Sequence, residues 1–182
     1  MVEPAEAAHE ARVGGGWLWG RFSRLGLAVI VVTFLLDQAH KWWMIHVYRI
    51  EEKGRVAVLP FLDLVFVKNT GISYSLFDQS SYAGQLVLVG FAVLASLALW
   101  VWLARSADSR LMAASLGLII GGALGNALDR VLIGGVADFF SAHAFGFYWY
   151  VFNIADVAIV AGVAGLLYDS AWPSRIDAAK PD

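Results

Sequence analysis

The stretch LMAASLGLIIGGALGNALDRVLI, which runs from Leu111 to Ile133, decides the fold. It carries no charged residue until Asp129 and Arg130, close to its end. A helix needs about 20 mostly apolar residues to cross a lipid bilayer. We therefore predict that this stretch is a membrane-spanning helix with a polar end, and that the polar end has a function, because ionisable residues within a span are costly.

The composition of the whole chain also indicates a membrane protein. Hydrophobic residues make up 59% of the 182 residues and charged residues 15%, against roughly 45–50% and roughly 25% in soluble domains. A soluble domain of this size cannot bury so much apolar surface. The chain has no cysteine, which excludes disulfides, a thiolate nucleophile and cysteine-ligated zinc. It also has no H-E-x-x-H motif and no basic patch typical of nucleic-acid binding.

Three more stretches are long and apolar enough to span a bilayer. They are Leu25–Val47, Leu86–Ala104 and about Tyr150–Tyr168. We predict an all-α membrane protein with four transmembrane helices. The loop between spans one and two, at about residues 48–82, is too long for a simple connector. Its apolar residues alternate on either side of Pro60, which predicts a small extracytoplasmic β-rich region.

Lysine and arginine residues predict the orientation, because cytoplasmic segments are enriched in them. Seven lie on the side of the two termini, at Arg12, Arg21, Arg24, Arg105, Arg110, Arg175 and Lys180. Four lie on the other side, at Arg49, Lys53, Arg55 and Lys68. Both termini are therefore expected in the cytoplasm. We expect residues 1–20 to form a flexible cytoplasmic tail, 21–170 a four-helix membrane domain and 171–182 a second tail.

Polar residues from three spans and one loop converge at one depth. At about 1.5 Å per helical residue, they all fall in the outer half of the bilayer or just beyond it. The set is Asp37, Asn126, Asp129, Asp138, Asn153 and Asp156. The inner half has no comparable set, so the clustering predicts a site near the outer face.

The four aspartates of this set differ in their local partners. Asp37 has Lys41 one helical turn away, which is the spacing of an ion pair, and Asp129 lies near Asn126 and Arg130. These two suit a buried polar clamp.

The other two aspartates, Asp138 and Asp156, have no cation at helical spacing and flank the short loop between spans three and four. Two carboxylates that are close together share one proton, so one acts as acid and the other as base. A water molecule between them then becomes the nucleophile. The pair predicts aspartic-protease chemistry, unless the two are independent interfacial aspartates.

Two other functions fit an intramembrane polar cluster. A small ion-coupled or proton-coupled transporter also carries convergent carboxylates, but it needs polar residues in the inner half, where Leu25–Leu36 and Leu86–Ala104 offer almost none. An inactive structural homologue of a peptidase would tolerate loss of either Asp138 or Asp156. The glycines at Gly117, Gly121, Gly122 and Gly125 are typical of close helix packing.

Four motifs in chain order make the sequence similar to the lipoprotein signal peptidase family (signal peptidase II). They are D-x-x-x-K at Asp37–Lys41, N-x-G at Asn69–Gly71, G-G-x-x-G-N-x-x-D-R with V-x-D-F from Gly121 to Phe139, and F-N-x-A-D at Phe152–Asp156. The last two motifs are long and specific. Ser73 and Tyr74 depart from the family's usual N-x-G-x-A-F continuation, which bears on substrate preference more than on chemistry.

The resemblance implies a role for each matched residue. Asp138 and Asp156 take the catalytic positions. Substrate-binding or orienting positions fall on Asn69, Gly71, Asn126, Arg130 and Asn153, and supporting positions on Asp37, Lys41, Asp129 and Gly122.

The resemblance also implies an activity and a location. The expected substrate is a lipid-modified prolipoprotein, cut just before its diacylglyceryl-cysteine, with membrane lipid as the other partner and no metal or cofactor. The protein is expected in the bacterial cytoplasmic (inner) membrane, as a monomer.

Overall fold

The computed structural model describes residues 17–71 and 81–171. Ser73, Tyr74 and most of the two predicted tails lie outside the described residues. The described part contains five α-helices, one π-helical turn and four β-strands. The helices are α1 (Ser23–Trp42), α2 (Ile50–Lys53), α3 (Tyr82–Ser106), α4 (Arg110–Ile133) and α5 (Ile154–Ala171), and the π-helical turn Trp43–Val47 extends α1.

Four of these helices are long and apolar enough to cross a membrane, as the sequence predicts: α1 with its π-helical turn, α3, α4 and α5. Helix α4 lies at the centre and packs against the other three. It is also the most buried of the four, because three neighbours cover it. The polar residues that α4 carries near its end are therefore directed towards other helices rather than towards lipid.

Glycines on α4 allow two neighbouring helices, α1 and α5, to approach it closely. A Cβ atom built on Gly121 would lie 2.8 Å from the carbonyl oxygen of Ile30 in α1. A Cβ atom built on Gly122 would lie 2.6 Å from the carbonyl oxygen of Ala155 in α5. Gly121 and Gly122 are adjacent in sequence, and neighbouring positions on a helix point in different directions. Each glycine therefore makes room for a different helix.

A four-stranded antiparallel sheet joins the ends of the helices. Its strands lie in the order β1 (Val56–Leu59), β2 (Leu62–Asn69), β3 (Val136–Ala144) and β4 (Phe147–Phe152). Strands β1 and β2 occur between spans one and two, where the sequence predicts them. Strands β3 and β4 come instead from the segment between spans three and four. The sequence therefore predicted the location of two of the four strands.

The start of the fourth span was predicted too early. The expected start was near Tyr150, but that residue belongs to β4 and helix α5 begins at Ile154. Residues 147–152 are apolar and uncharged, so their composition resembles a span. They are also rich in aromatic residues, which favour a strand once a partner such as β3 is available.

One face of the sheet covers a small core at the end of α1. Phe139 of β3, Met44 of the π-helical turn and Ile50 of α2 are fully or almost fully buried there. Side chains alternate between the two faces of a strand, so Asp138 points away from this core. Gly134 ends α4 with φ of 68°, a left-handed conformation that favours glycine, and the chain turns there into β3.

A second polar cluster, formed by Arg55, Asp63 and Ser141, links strands β2 and β3. The guanidinium group of Arg55 donates hydrogen bonds to Asp63 in β2, at 2.8 Å, and to Ser141 in β3, at 3.2 Å. The hydrogen bond from Arg55 lowers the pKa of Asp63 below its ordinary value. Asp63 therefore stays ionised over the neutral pH range and holds Arg55 against the sheet.

Candidate active site

A cavity of about 270 Å³ opens where the sheet meets α4 and α5. Its polar lining consists of Asn69, Gly71, Asn126, Arg130, Asp138 and Asp156. Its apolar lining consists of Val136, Tyr150, Val151, Ile159 and Val160. Six of the seven residues that the sequence assigns to catalysis or substrate binding therefore share one cavity, and the seventh, Asn153, bonds to several of them.

Asp138 reaches the cavity from β3 and is only 1% exposed. Asn153 donates from Nδ2 to its Oδ1 at 2.6 Å, and Asn69 donates from Nδ2 to its Oδ2 at 3.2 Å. Burial, followed by the negative charge of Asp156, raises the pKa of Asp138 from 3.8 to about 7. Both protonation states of Asp138 are therefore accessible near neutral pH.

Asp156 reaches the cavity from the first turn of α5. Its Oδ2 accepts a hydrogen bond from the backbone N–H of Asn153 at 3.1 Å, and the Oδ1 of Asn153 accepts one from the backbone N–H of Asp156 at 3.0 Å. This reciprocal pair is a capping box, which fixes the start of a helix. Asn126 adds a third bond, from its Nδ2 to Oδ1 of Asp156 at 2.9 Å. The geometry of the helix terminus thus sets the direction of this carboxylate.

Asn153 contacts both carboxylates. Its side chain donates to Asp138 and also to Oδ1 of Asn126, at 3.1 Å, while its backbone N–H donates to Asp156. Asn153 is fully buried, so no solvent competes for these bonds. One residue therefore holds the two carboxylates to the same cavity.

Arg130 of α4 forms the wall towards β2. It donates to the carbonyl oxygen of Asn126 at 3.0 Å and to that of Gly71 at 3.1 Å. The Oδ1 of Asn69 accepts the backbone N–H of Gly71 at 3.1 Å. An arginine at this depth needs acidic or carbonyl partners. Two carbonyl groups serve its Nη1 and Nη2 atoms, so Arg130 fixes the chain at the end of β2.

The three acidic and basic supporting residues lie behind the cavity. Lys41 is 2.8 Å from Asp37 and 2.7 Å from Asp129, so the predicted ion pair at i,i+4 is present. The ion-pair partner of Asp129 is Lys41 of α1, not one of its sequence neighbours on α4. Gly122, the fourth predicted supporting residue, lies outside the cavity in the contact between α4 and α5.

Sequence reasoning missed Gln38. Its Nε2 donates to Asp37 at 3.1 Å, to Asp129 at 3.0 Å and to the carbonyl oxygen of Gly125 at 3.2 Å. An amide in an apolar stretch, next to an aspartate, was the available signal. Within residues 17–71 and 81–171, no three histidine or acidic side chains are grouped so that they hold a metal ion.

The raised pKa of Asp138 makes stability depend on pH. The folded state binds a proton at Asp138 up to about pH 7, whereas the unfolded chain releases it near 3.8. The stability that this group contributes is therefore fully present below pH 3.8 and is lost as the pH rises to about 7.

Asp138→Asn removes this dependence on pH. We therefore expect the melting temperature of the variant, relative to that of wild type, to be higher at pH 8 than at pH 5. The difference corresponds to about 3 kcal/mol, and thermal melts at both pH values measure it. An equal offset at the two pH values would contradict the raised pKa.

Comparison with known proteins places the chain in a family. A family model described as Signal peptidase (SPase) II matches residues 29–172. A lipoprotein signal peptidase from Methylocella silvestris is 52% identical over 151 residues, covering 83% of this chain and 88% of the relative. One from Methylobacterium sp. is 52% identical over 160 residues, covering 87% and 96%.

A solved structure shares the fold of this chain. A bacterial membrane enzyme structure determined by the in meso method superposes with a TM-score of 0.70 at 25% identity, covering 84% of this chain and 96% of that chain. A family model that matches most of the chain, together with relatives about half identical to it, settles membership. The chain belongs to the signal peptidase II family.

Proposed function

We propose that this chain is an aspartic endopeptidase that removes the signal peptide from diacylglyceryl-modified prolipoproteins, just before the lipid-modified cysteine. One observation carries the proposal: Asp138 and Asp156 open on one cavity and both accept hydrogen bonds from Asn153. The similar proteins named lipoprotein signal peptidase support the substrate class.

The chemistry follows from two carboxylates that share one proton. The ionised carboxylate accepts a proton from a water molecule as the water oxygen bonds to the scissile carbonyl carbon. The protonated carboxyl gives its proton to the carbonyl oxygen, which forms a neutral tetrahedral intermediate. The C–N bond then breaks as the newly protonated carboxyl gives its proton to the amine of the cysteine residue, while the other carboxylate takes the proton of one hydroxyl group of the intermediate, which restores the shared proton. The raised pKa of Asp138 lets this carboxyl hold a proton near neutral pH, as a shared proton requires.

The cavity also offers groups that bind a peptide backbone. Arg130 and Asn69 line it beside Asp138 and Asp156, and arginine and amide groups suit carbonyl and N–H partners. The apolar lining on the α5 side, which includes Val160, suits a substrate that enters sideways from lipid. In this arrangement Asn69, Gly71 and Arg130 hold the substrate, while Asn126 and Asn153 orient the carboxylates.

The protein acts as a monomer in the bacterial inner membrane. Both termini lie in the cytoplasm, and the active site lies near the outer face. The excess of lysine and arginine on the side of the termini, seven against four, supports this orientation. A four-helix unit at residues 21–170 carries the activity, and the segments 1–20 and 171–182 are cytoplasmic tails.

The lipid requirement gives the experiment that tests this function. Purified protein in detergent is incubated with a precursor that carries the diacylglyceryl group and with the same precursor without it. We expect the gel shift of signal-peptide release only for the modified precursor, because the scissile bond must lie at the membrane surface beside the cavity. Equal cleavage of both precursors, or of neither, would contradict the proposal.

A further inference from the structure

Lys41 is the centre of a buried three-way contact behind the cavity. Its Nζ lies 2.8 Å from Oδ2 of Asp37, 2.7 Å from Oδ2 of Asp129 and 3.0 Å from Oδ1 of Asn126. An ammonium group has three N–H donors, so these three acceptors use all of them. The side chain is only 4% exposed, and water therefore does not compete for the contacts.

The two carboxylates bound by Lys41 each hold the backbone next to a cavity aspartate. Oδ1 of Asp37 accepts the backbone N–H of Ala155 at 3.0 Å, and Ala155 directly precedes Asp156. Oδ2 of Asp129 accepts the backbone N–H of Ala137 at 3.1 Å, and Ala137 directly precedes Asp138. Both backbone groups and both carboxylates are buried. Each cavity aspartate thus follows a residue that is tied, through one carboxylate, to the same ammonium group.

We propose that Asp37, Lys41 and Asp129 form a spacer that sets the separation between Asp138 and Asp156, with Lys41 as its positioning residue. This inference rests on the proposed function and deepens it. The spacer connects α1 to α4 through the ion pair of Lys41 with Asp129, and to β3 and α5 through the two backbone bonds. A change at Lys41 is therefore transmitted to both catalytic aspartates, although Lys41 is not part of the cavity lining.

Lys41 also fixes the direction of an amide that touches the pair. Oδ1 of Asn126 accepts from Lys41 at 3.0 Å and from Asn153 at 3.1 Å, so Nδ2 is left to donate to Asp156 at 2.9 Å. Without Lys41, the amide of Asn126 is freer to rotate by half a turn, which places its Oδ1 against Oδ1 of Asp156. Loss of Lys41 therefore disturbs both the spacing of the pair and the hydrogen bonding of one member.

The test removes the spacer without leaving a buried unpaired charge. In the triple variant Asp37→Asn/Lys41→Met/Asp129→Asn, each asparagine keeps an oxygen for the backbone N–H, but the ammonium group between them is gone and the neutral amide of Gln38 is what remains there. We expect kcat to fall about 10- to 100-fold, since a misplacement of about 1 Å costs this much. We expect KM to stay within twofold, because the substrate contacts are unchanged. Lys53→Met, at an exposed lysine of α2, is the matched control and should keep wild-type kcat and KM.

Melting temperature separates positioning from folding. The proposal expects the triple variant to melt within about 5 °C of wild type while kcat is lost. A wild-type kcat in a folded triple variant would overturn the spacer, and so would a change confined to KM. If the triple variant fails to fold, Lys41→Arg replaces it, because arginine keeps the charge but directs its donors differently, and the same kcat and KM outcomes apply. Wild-type protein that cleaves no modified precursor would contradict the proposed function instead.

Discussion

Asp138→Asn and Asp156→Asn are each expected to reduce cleavage of a diacylglyceryl-modified precursor by at least about 1,000-fold. A shared proton needs two carboxylates, and an asparagine neither accepts a proton from water nor carries one to the leaving group. General acid and base catalysis contributes roughly 100- to 10,000-fold for each group. Both substitutions keep the size of the side chain, so the cavity and its neighbours stay in place.

The measurement compares purified variants with wild type in the gel-shift assay. Each variant should insert into membranes and melt as a folded protein, which shows that lost cleavage reflects lost chemistry. Asp108→Asn is a matched control, because Asp108 is exposed and lies between α3 and α4, away from the cavity lining. The control should cleave at the wild-type rate. The variants can also be tested in cells that contain no other peptidase for this precursor. If such cells processed the precursor with Asp138→Asn or Asp156→Asn as their enzyme, the assignment of these two aspartates as the catalytic pair would be wrong.

Gly122→Leu is the second substitution expected to have a large effect. A Cβ atom at this position would lie 2.6 Å from the carbonyl oxygen of Ala155, which is part of the backbone and cannot yield easily. Helix α5 must move away from α4 at its first turn, where Asp156 lies. Overpacking of this kind typically costs about 1–3 kcal/mol, and here we expect about 3 kcal/mol or more, together with loss of cleavage.

Gly90→Leu is the control for this substitution. Gly90 lies within α3, and a Cβ atom there would meet no atom of another element of the described structure within 4 Å. Leucine has a higher helix propensity than glycine, so this variant should melt at or above the wild-type temperature. Thermal melts of the two purified variants provide the comparison. If Gly122→Leu melted like Gly90→Leu, the close contact between α4 and α5 would not exist as described.

The spans and one ion pair were predictable because their signals are local in sequence. The apolar run of Leu111–Ile133 gives a helix wherever it lies, and residues four apart on a helix always share a face. The pair Asp37 and Lys41 follows from that spacing alone. The contact between Lys41 and Asp129 does not, because it depends on which faces of α1 and α4 meet.

The sheet was only partly predictable for a different reason. Strands β3 and β4 form one antiparallel hairpin that completes its hydrogen bonds against β2, and that pairing joins segments far apart in sequence. Residues 147–152 are apolar enough to count as part of a span by composition. The spacing of Asn153 and Asp156 fits a capping box, a signal that places the start of α5 after β4.

The site was predictable as a set of residues but not as a network. Depth along the helices brought the six polar residues to one layer, and the structure adds the bonds among them. The spacing to Asp156 signals that Asn153 caps α5, but the bond from Asn153 to Asp138 has no counterpart in any local sequence pattern. Gln38 likewise gains its role only when α1 and α4 come together.

Single-turnover cleavage with enzyme in excess over a diacylglyceryl-modified precursor decides whether Asp138 and Asp156 perform the hydrolysis together. Under these conditions product release does not limit the rate, so the bond-breaking step itself is observed. We predict that wild type converts the substrate completely, and that Asp138→Asn and Asp156→Asn each leave it intact over the same time. Conversion by either folded variant at a rate near that of wild type would contradict the shared-proton pair.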